Sequence, residues 1–248
     1  MNKTIALLKN RRSIRAYEDR EIPPEVKQLI LDAALQAPTA GNMTLYTILD
    51  ITDPALKACL AESCDHQPFI AQAKMVLIFC ADYKRWYDVF RRWEDPVRAP
   101  AEGDLFLAQA DALIAAQNAA IAAESLGVGS CYIGDITEQF EYHQELLHLP
   151  KYVVPACMLC FGYPTQQQRD RAKPPRFAVE DIVHENGYDC EKADKMAQML
   201  QARDGTPEDA LPQRLQQFCA RKWNNEFSRE MSRSCAAMLK AWCENPPK

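Results

Sequence analysis

The chain has 248 residues, 48% hydrophobic and 25% charged, a composition typical of a globular protein with one large domain. Its net charge is -5 and it has no long basic run, so the charge pattern supports neither a nucleic-acid partner nor a membrane surface. With only eight glycines, and neither G-x-x-x-x-G-K-[ST] nor G-x-G-x-x-G, the sequence argues against the common phosphate-binding loops.

The predicted elements alternate between helices and strands over the first two thirds of the chain. In chain order we predict an amphipathic helix over 24–37, a strand over 46–51, a short helix over 66–74, a strand over 75–80, a long helix over 105–126, a strand over 130–133, a helix over about 137–149 and a strand over 153–161. Asp104 is the predicted cap of the long helix, and Gly127 is a good residue to end it. Polar residues interrupt this helix, which predicts a helix buried between subunits and not a membrane span.

The character of the sequence changes at residue 165. A polar, proline-bearing stretch leads into a charged region with helices predicted at about 191–202, 207–222 and 226–243. We therefore predict a core over residues 1–164 and a C-terminal segment over residues 165–248 that forms a helical arm.

The ten cysteines raise the question of disulfides. Near the N-terminus the only apolar stretch runs from Ile5 to Leu8, so no secretory signal is predicted. Most of the cysteines lie in apolar runs, where free thiols behave as small hydrophobic side chains. We therefore expect reduced thiols and a cytoplasmic protein.

Metal and nucleophile chemistry finds little support in the sequence. The four histidines form no H-E-x-x-H motif and lie near no cysteine pair, so no metal site is predicted. Cys157 and Cys160 have the spacing of a redox dithiol, but in a strand, positions three apart point to opposite faces, which favours two core thiols. No G-x-S-x-G elbow of a serine hydrolase is present.

Four short segments carry residues that suit a phosphorylated or planar ligand. They are the arginine cluster at 11–15, the turn at 38–42, the glycine cluster at 127–134 and the basic stretch at 169–176. Arginine recognises phosphate with two hydrogen bonds, and glycine lets backbone approach a ligand closely. Taken singly, the two basic segments are better explained as exposed surface and the 38–42 turn as an ordinary loop, while the glycine cluster is explained equally well as a helix cap followed by a strand entry.

Together, these segments resemble a known family. The motifs R-R-S-I-R-A-Y, P-T-A-G-N, H-Q-P-F-I-A-Q-A-K, E-S-L-G-V-G-S-C-Y-I-G-D and K-P-P-R stand in the order and spacing of the FMN-dependent nitroreductase superfamily, and are most similar to its flavin reductase and NADPH-nitroreductase group. The resemblance covers about residues 1–185. It implies an α+β fold, α/β-like in its alternation, with a central, mainly antiparallel sheet packed by helices, an intertwined homodimer and a C-terminal helical arm.

The resemblance also implies a set of FMN-binding residues. They are Arg11, Arg12, Ser13 and Arg15 in the first motif, Pro38, Thr39, Ala40 and Asn42 contributed by the partner subunit, Gln67 bonding the flavin, Tyr132, Ile133 and Gly134 passing the ring near N5, and Lys173 and Arg176 closing on the phosphate. The family's usual K-P-R is K-P-P-R here, so the phosphate contact is open among Arg171, Lys173 and Arg176. No side chain need act as catalytic acid or base, because the flavin carries the chemistry and Arg15 stabilises the charge that forms on it.

The implied function is an FMN-dependent oxidoreductase. NADPH or NADH would reduce the flavin, and a nitroaromatic, a quinone or a free flavin would reoxidise it in a ping-pong cycle. One alternative is a specialised flavin enzyme that acts on a particular metabolite through a different C-terminal lid. Another is a non-catalytic flavin-binding or redox-sensing protein that uses the C-terminal cysteines Cys190, Cys219, Cys235 and Cys243.

Overall fold

The computed structural model describes residues 2–244, and within this range four strands form one sheet. They are β1 (Tyr46–Asp50), β2 (Met75–Asp82), β3 (Gly129–Ile133) and β4 (Val153–Gly162). Their order is β1-β2-β4-β3, and every neighbouring pair is antiparallel. The predicted α+β class with an antiparallel sheet is confirmed, and the predicted strands are correct to within two residues at each end.

Helices surround this sheet and make up the C-terminal region. In chain order they are α1 (Lys3–Asn10), α2 (Pro24–Leu35), α3 (Pro54–Ser63), α4 (Pro68–Gln72), α5 (Lys84–Phe90), α6 (Glu102–Ser125), α7 (Phe140–Leu146), α8 (Gln166–Asp170), α9 (Val179–Ile182), α10 (Cys190–Ala193), α11 (Met196–Asp204), α12 (Leu211–Lys222) and α13 (Glu226–Cys243). The helices α3, α5, α8 and α9 were not predicted. Helix α3 carries a start signal, since the Asp53 side chain accepts from the Ala55 N–H and Pro54 stands at the first helical position.

Helix α6 lies against the sheet through a face of small residues. The buried alanines of this face are Ala108, Ala112, Ala115, Ala116, Ala119, Ala120 and Ala123. They pack with α2 and with large sheet residues such as Phe79 and Phe161. Large apolar side chains on α6, among them Phe106 and Leu113, are exposed in the single chain. Helix α6 is long and apolar enough to cross a membrane, but the buried core helix of a protein can have the same length and composition.

The sheet separates two hydrophobic clusters, one shared with α2 and α6 and the other with α3 and α4. Cys157 belongs to the first cluster and Cys160 to the second, as the alternation of a strand requires. Burial raises the pKa of the Cys157 thiol to about 12 and the pKa of Cys160 well above its ordinary value. Two thiols on opposite faces of one strand are core residues, not a dithiol pair.

The described chain divides into two compact units. Residues 2–171 and 230–244 form the first, and residues 172–229 form the second. In the second unit, Asp204 at the end of α11 accepts from Arg203 and from Arg214 of α12. The predicted boundary between residues 164 and 165 stays a prediction.

The later part of α13 is an integral part of the first unit. The Phe140 N–H at the start of α7 donates to the Ser234 hydroxyl at 3.1 Å, which caps that helix from a distant part of the chain. Trp242 is 1% exposed, and its indole N–H donates to the Ala101 carbonyl at 3.1 Å. Residues 230–243 therefore complete the core that the first 171 residues begin.

Candidate functional site

Residues 11–15 run along β3, which is one of the two edge strands of the sheet. Ser13 forms a parallel bridge with Ser130, and the Ile14 N–H donates to the Ser130 carbonyl at 3.0 Å. This pairing fixes the backbone of the arginine-rich segment against the sheet.

Two glycines make room for the N-terminal segment. A Cβ atom on Gly129 would lie 2.5 Å from Ile14 Cγ1, and one on Gly162 would lie 2.5 Å from Tyr17 Cδ1. The two glycines are register partners on β3 and β4. Because real Cβ atoms do not approach so closely, only glycine at both positions lets the segment lie flat on the sheet.

The expected role of the glycine cluster is therefore corrected. Gly127 follows α6 with φ +76, the left-handed conformation that ends a helix, as the sequence predicts. Gly129 gives Ile14 the space that a Cβ atom would need. Gly134 is exposed, with nothing within 4 Å of the position a Cβ would take, so it presents open backbone at the end of β3.

Arg15 and Ser13 lie beside the middle of β3. Burial raises the pKa of the Cys131 thiol on this strand, while Arg15 and Ser13 next to the thiol lower it in part. Arg15 is exposed, and its guanidinium carbon lies 6.0 Å from the centre of the Phe69 ring. A fixed positive charge thus stands at the junction between β3 and the start of α4.

Gln67 connects this junction to the end of β3. Its side-chain amide donates to the Cys64 carbonyl at 2.8 Å and to Asp135 Oδ2 at 3.2 Å. Asp135 directly follows Gly134, and Phe69, two residues after Gln67, lies under Arg15. The structure therefore brings together three predicted site positions, Arg15, Gln67 and Gly134.

The side chain of Arg12 turns toward the chain itself. Its guanidinium donates to the Arg169 carbonyl at 2.5 Å and also to the Arg171 carbonyl. The Arg11 guanidinium donates to the Arg12 carbonyl at 3.4 Å. Arg12 thus ties residues 169–171 to the first motif, and its predicted contact with a cofactor stays a prediction.

The remaining predicted residues of β3 differ in exposure. The Tyr132 hydroxyl donates to Gln117 Oε1 at 3.2 Å, and burial raises the pKa of this tyrosine. Ile133 is buried in the cluster shared with α3 and α4. Only backbone at this position can face a ligand.

The turn at residues 38–42 is organised by Asp111, which sequence reasoning missed. The carboxylate of Asp111, 3% exposed, accepts from the Thr39 hydroxyl, the Ala40 N–H at 3.0 Å and the Leu45 N–H at 3.2 Å. Asn42 has φ 57, a left-handed conformation that asparagine tolerates. An aspartate inside a long alanine-rich helix is the sequence signal that marks such an anchor.

This turn and the arginine-rich segment lie at opposite ends of the sheet. The 38–42 turn precedes Tyr46 of β1, which pairs with Ala81 of β2, and Ala81 in turn pairs with Val154 of β4. Ser130, the partner of the arginine-rich segment, pairs with Phe161 of β4. Seven residues of a strand span about 23 Å. One chain therefore does not join its own 38–42 turn to its own arginine-rich segment.

Lys173 and Arg176 belong to the second unit, residues 172–229. Lys173 is half-buried, and the guanidinium of exposed Arg176 donates to the Pro174 carbonyl at 3.5 Å. Their predicted role at a phosphate stays a prediction.

Sequence reasoning also missed Glu138. This glutamate follows the short 3₁₀ turn Asp135–Thr137 and is only 6% exposed. Burial, together with nearby carboxylates, raises its pKa to about 7. The long-range neighbours that create this environment leave no local pattern in the sequence.

Comparison with known proteins places the chain in a family. The family model described as Nitroreductase family matches residues 8–163, more than half of the chain. The oxygen-insensitive NADPH nitroreductase of Salmonella typhimurium is 37% identical over 188 residues, which cover 76% of this chain and 75% of that protein. The FMN reductase [NAD(P)H] of Bacillus subtilis is 31% identical over 239 residues, 96% of this chain and 91% of that protein.

A solved structure supports the same assignment. The NfrA2 protein of B. megaterium is 28% identical and superimposes with a TM-score of 0.80, and the match covers 100% of both chains. The resemblance inferred from the ordered motifs is thereby confirmed in sequence and in fold. The chain belongs to the nitroreductase family.

Proposed function

We propose that this protein is a homodimeric, cytoplasmic flavoenzyme that takes electrons from NADPH or NADH into bound FMN and passes them to a small acceptor in a ping-pong cycle. Nitroaromatics, quinones and free flavins are the proposed acceptor classes. The broader assignment, an NAD(P)H-dependent oxidoreductase with FMN as its cofactor, is that of the relatives named NADPH nitroreductase and FMN reductase.

The observation that carries this proposal is the grouping of Arg15, Gln67 and Gly134 beside β3. A planar ring with polar edges needs one face of open backbone and hydrogen-bonding side chains around its rim. Gly134 offers open backbone, and Gln67 and Arg15 offer an amide and a guanidinium. The donor set therefore suits a flavin.

The phosphate end has a donor set of the same kind. Arg11 and Ser13 lie at the start of the segment paired with β3, and cationic side chains with a hydroxyl suit a phosphate. Lys173 and Arg176 are the proposed second pair. Arg12 holds residues 169–171, from which the chain continues toward Lys173.

The chemistry asked of the protein is binding and electrostatic support. Bound FMN supplies the two-electron chemistry. Arg15 holds a fixed positive charge where negative charge develops on the pyrimidine edge of the ring. Gln67 orients the ring through a side-chain amide that Asp135 and the Cys64 carbonyl already position.

Two features support the homodimer. The 38–42 turn lies about 23 Å along the sheet from the arginine-rich segment of the same chain, so a second chain is needed to bring the two kinds of donor together. Helix α6 exposes large apolar side chains that a second copy would cover. They are Phe106, Leu107, Leu113 and Ile114.

The test is the visible spectrum of the purified full-length protein before and after each nicotinamide. We expect a bound yellow flavin whose absorbance bleaches on anaerobic addition of NADPH or NADH and returns when a quinone is added. A protein that is colourless and gains no colour with added FMN would overturn the proposal. Bound FMN that neither nicotinamide reduces would favour the specialised flavin enzyme instead.

A further inference from the structure

Glu138 is a buried acid behind the grouping of Arg15, Gln67 and Gly134. It stands between the 3₁₀ turn Asp135–Thr137 and helix α7, and only 6% of its surface is exposed. Among the described residues, none makes a hydrogen bond with its Oε1 atom. A buried carboxylate with an oxygen that accepts no hydrogen bond is costly when it is ionised, so its protonation state has structural consequences.

Three other carboxylates surround Glu138, and each comes from a different part of the fold. They are Asp65 in the turn after α3, Asp135 at the end of β3 and Glu230 on α13. Glu230 stays ionised, because hydrogen bonds from Arg233 and Ser234 lower its pKa to about 2. Negative charge therefore faces Glu138 from several sides.

The uncharged neighbours of Glu138 do not offset the negative charge of these carboxylates. The His143 ring on α7 is fully buried, and burial lowers its pKa, so it is neutral near pH 7. The Cys64 thiol also faces Glu138, and burial raises its pKa to about 12. Neither group supplies a positive charge that would stabilise an ionised Glu138.

One of the three acids connects Glu138 to the candidate site. Asp135 Oδ2 accepts from the Gln67 side-chain amide at 3.2 Å. Asp135 makes this bond while it lies within electrostatic reach of Glu138. A second negative charge appearing at Glu138 would repel the carboxylate that positions Gln67.

We propose that Glu138 is a positioning residue which must carry a proton for the site to be competent, and that loss of this proton displaces Asp135 and frees the Gln67 amide. The proton passes to solvent, and no covalent bond other than O–H changes. The consequence for the flavin rests on the proposed function, in which Gln67 contacts the ring. The displacement of Gln67 itself does not depend on that function.

The first test is the affinity of the full-length protein for FMN, followed by flavin fluorescence from pH 6 to pH 9. We expect the affinity of the wild-type protein for FMN to fall by about 2- to 10-fold as the pH rises through about 7. A change of this size corresponds to the loss of one hydrogen bond. Glu138→Gln, which mimics the protonated acid, should bind tightly and lose this dependence. Glu145→Gln, which changes an exposed glutamate on the neighbouring helix α7, is the matched control and should keep the wild-type profile.

The second test needs no cofactor. The Gln67 side-chain amide is followed by NMR in flavin-free protein, with its signals assigned by their loss in Gln67→Ala. We expect these signals to titrate near pH 7 in wild type and not in Glu138→Gln. If Glu138→Gln fails to fold, Asp135→Asn serves instead, since a neutral side chain there removes the repulsion and should also flatten the titration.

The outcomes separate the two proposals. A protein that binds no FMN at any pH overturns the proposed function, while the Gln67 titration still tests the present inference. Identical titrations of the Gln67 amide in wild type and Glu138→Gln would overturn the role of Glu138, whether or not FMN binds.

Discussion

Gly129 and Gly162 face each other across β3 and β4, and the side chains of Ile14 and Tyr17 fill the space that a Cβ atom would need at each glycine. The candidate site thus depends on two residues that contribute no side chain. Because neither glycine has a side chain, the arginine-rich segment can lie close to the sheet.

Substituting Gly129 by alanine should displace that segment. The new Cβ would stand 2.5 Å from Ile14 Cγ1, so Ile14 and its neighbours must move. We expect the free energy of unfolding to fall by about 1–3 kcal/mol, as in other overpacked sites, and FMN affinity to fall at least about tenfold. Denaturant unfolding and flavin titration measure the two effects.

Gly103→Ala is the control for this substitution. Gly103 lies in α6 with nothing within 4 Å of a Cβ, so alanine should stabilise the helix by about 0.5–1 kcal/mol. A Gly129→Ala protein with wild-type FMN affinity would show that the segment's position does not matter for binding.

Arg15→Ala should slow reduction of the bound flavin. The exposed guanidinium beside Phe69 is the charge we place at the pyrimidine edge. We expect the rate of reduction by NADPH to fall about tenfold or more, measured by stopped flow at saturating FMN. Arg91→Ala is the control, because this exposed arginine, whose guanidinium carbon lies 5.5 Å from the centre of the Tyr87 ring, is not among the predicted cofactor-binding residues. Equal rates in Arg15→Ala and wild type would refute the electrostatic role.

Asp111→Asn should loosen the 38–42 turn. The carboxylate accepts from the Thr39 hydroxyl and from the N–H groups of Ala40 and Leu45, and an amide group cannot accept at both of its ends. We expect a loss of about 2–4 kcal/mol in unfolding free energy, because a buried donor is left without a partner. Asp32→Asn, whose acceptor is exposed on α2, should cost no more than about 0.5 kcal/mol. Equal stabilities of the two variants would contradict the anchor.

The stability of the protein should fall with rising pH because of Glu138. Its pKa is raised from the ordinary 4.5 to about 7, so between these values the folded state holds a proton that the unfolded state has lost. The stabilisation is complete below about pH 4.5 and is lost as the pH rises through about 7. At pH 8 we expect Glu138→Gln to be more stable than wild type by about 1–3 kcal/mol. Urea unfolding at several pH values, with Glu145→Gln as the control, checks this, and a wild-type pH profile in Glu138→Gln would contradict it.

The predictions from sequence succeeded where the relevant pattern is local. Apolar runs located β2 and β4, and helical spacing located α2 and α6, because the buried residues of each element produce a regular pattern within its own stretch of sequence. Helix α3 was missed because its apolar residues do not follow one clear stripe, although Asp53 and Pro54 mark its start.

The site was predictable only as a set of motifs. Nothing in the sequence distinguishes Arg12 from the neighbouring arginines. Only the structure shows that its guanidinium donates to the carbonyl of Arg169, a residue far along the chain. Gly129 lies in a glycine cluster that suggests a ligand loop, and only the crossing of Ile14 shows the space it provides. The pKa of Glu138 is raised in part by Glu230, which lies ninety-two residues later in the sequence. Contacts between distant segments leave no periodic signal.

The return of α13 to the first unit has a consequence for synthesis on the ribosome. Ser234 caps α7 and Trp242 fills the core beside Ala101, yet these residues are translated after the whole second unit. The N-terminal core therefore waits with an open apolar surface until about seventy further residues have emerged, at roughly 5–20 residues per second. During those seconds the nascent chain exposes apolar core surface that Met238 and Trp242 bury in the finished protein.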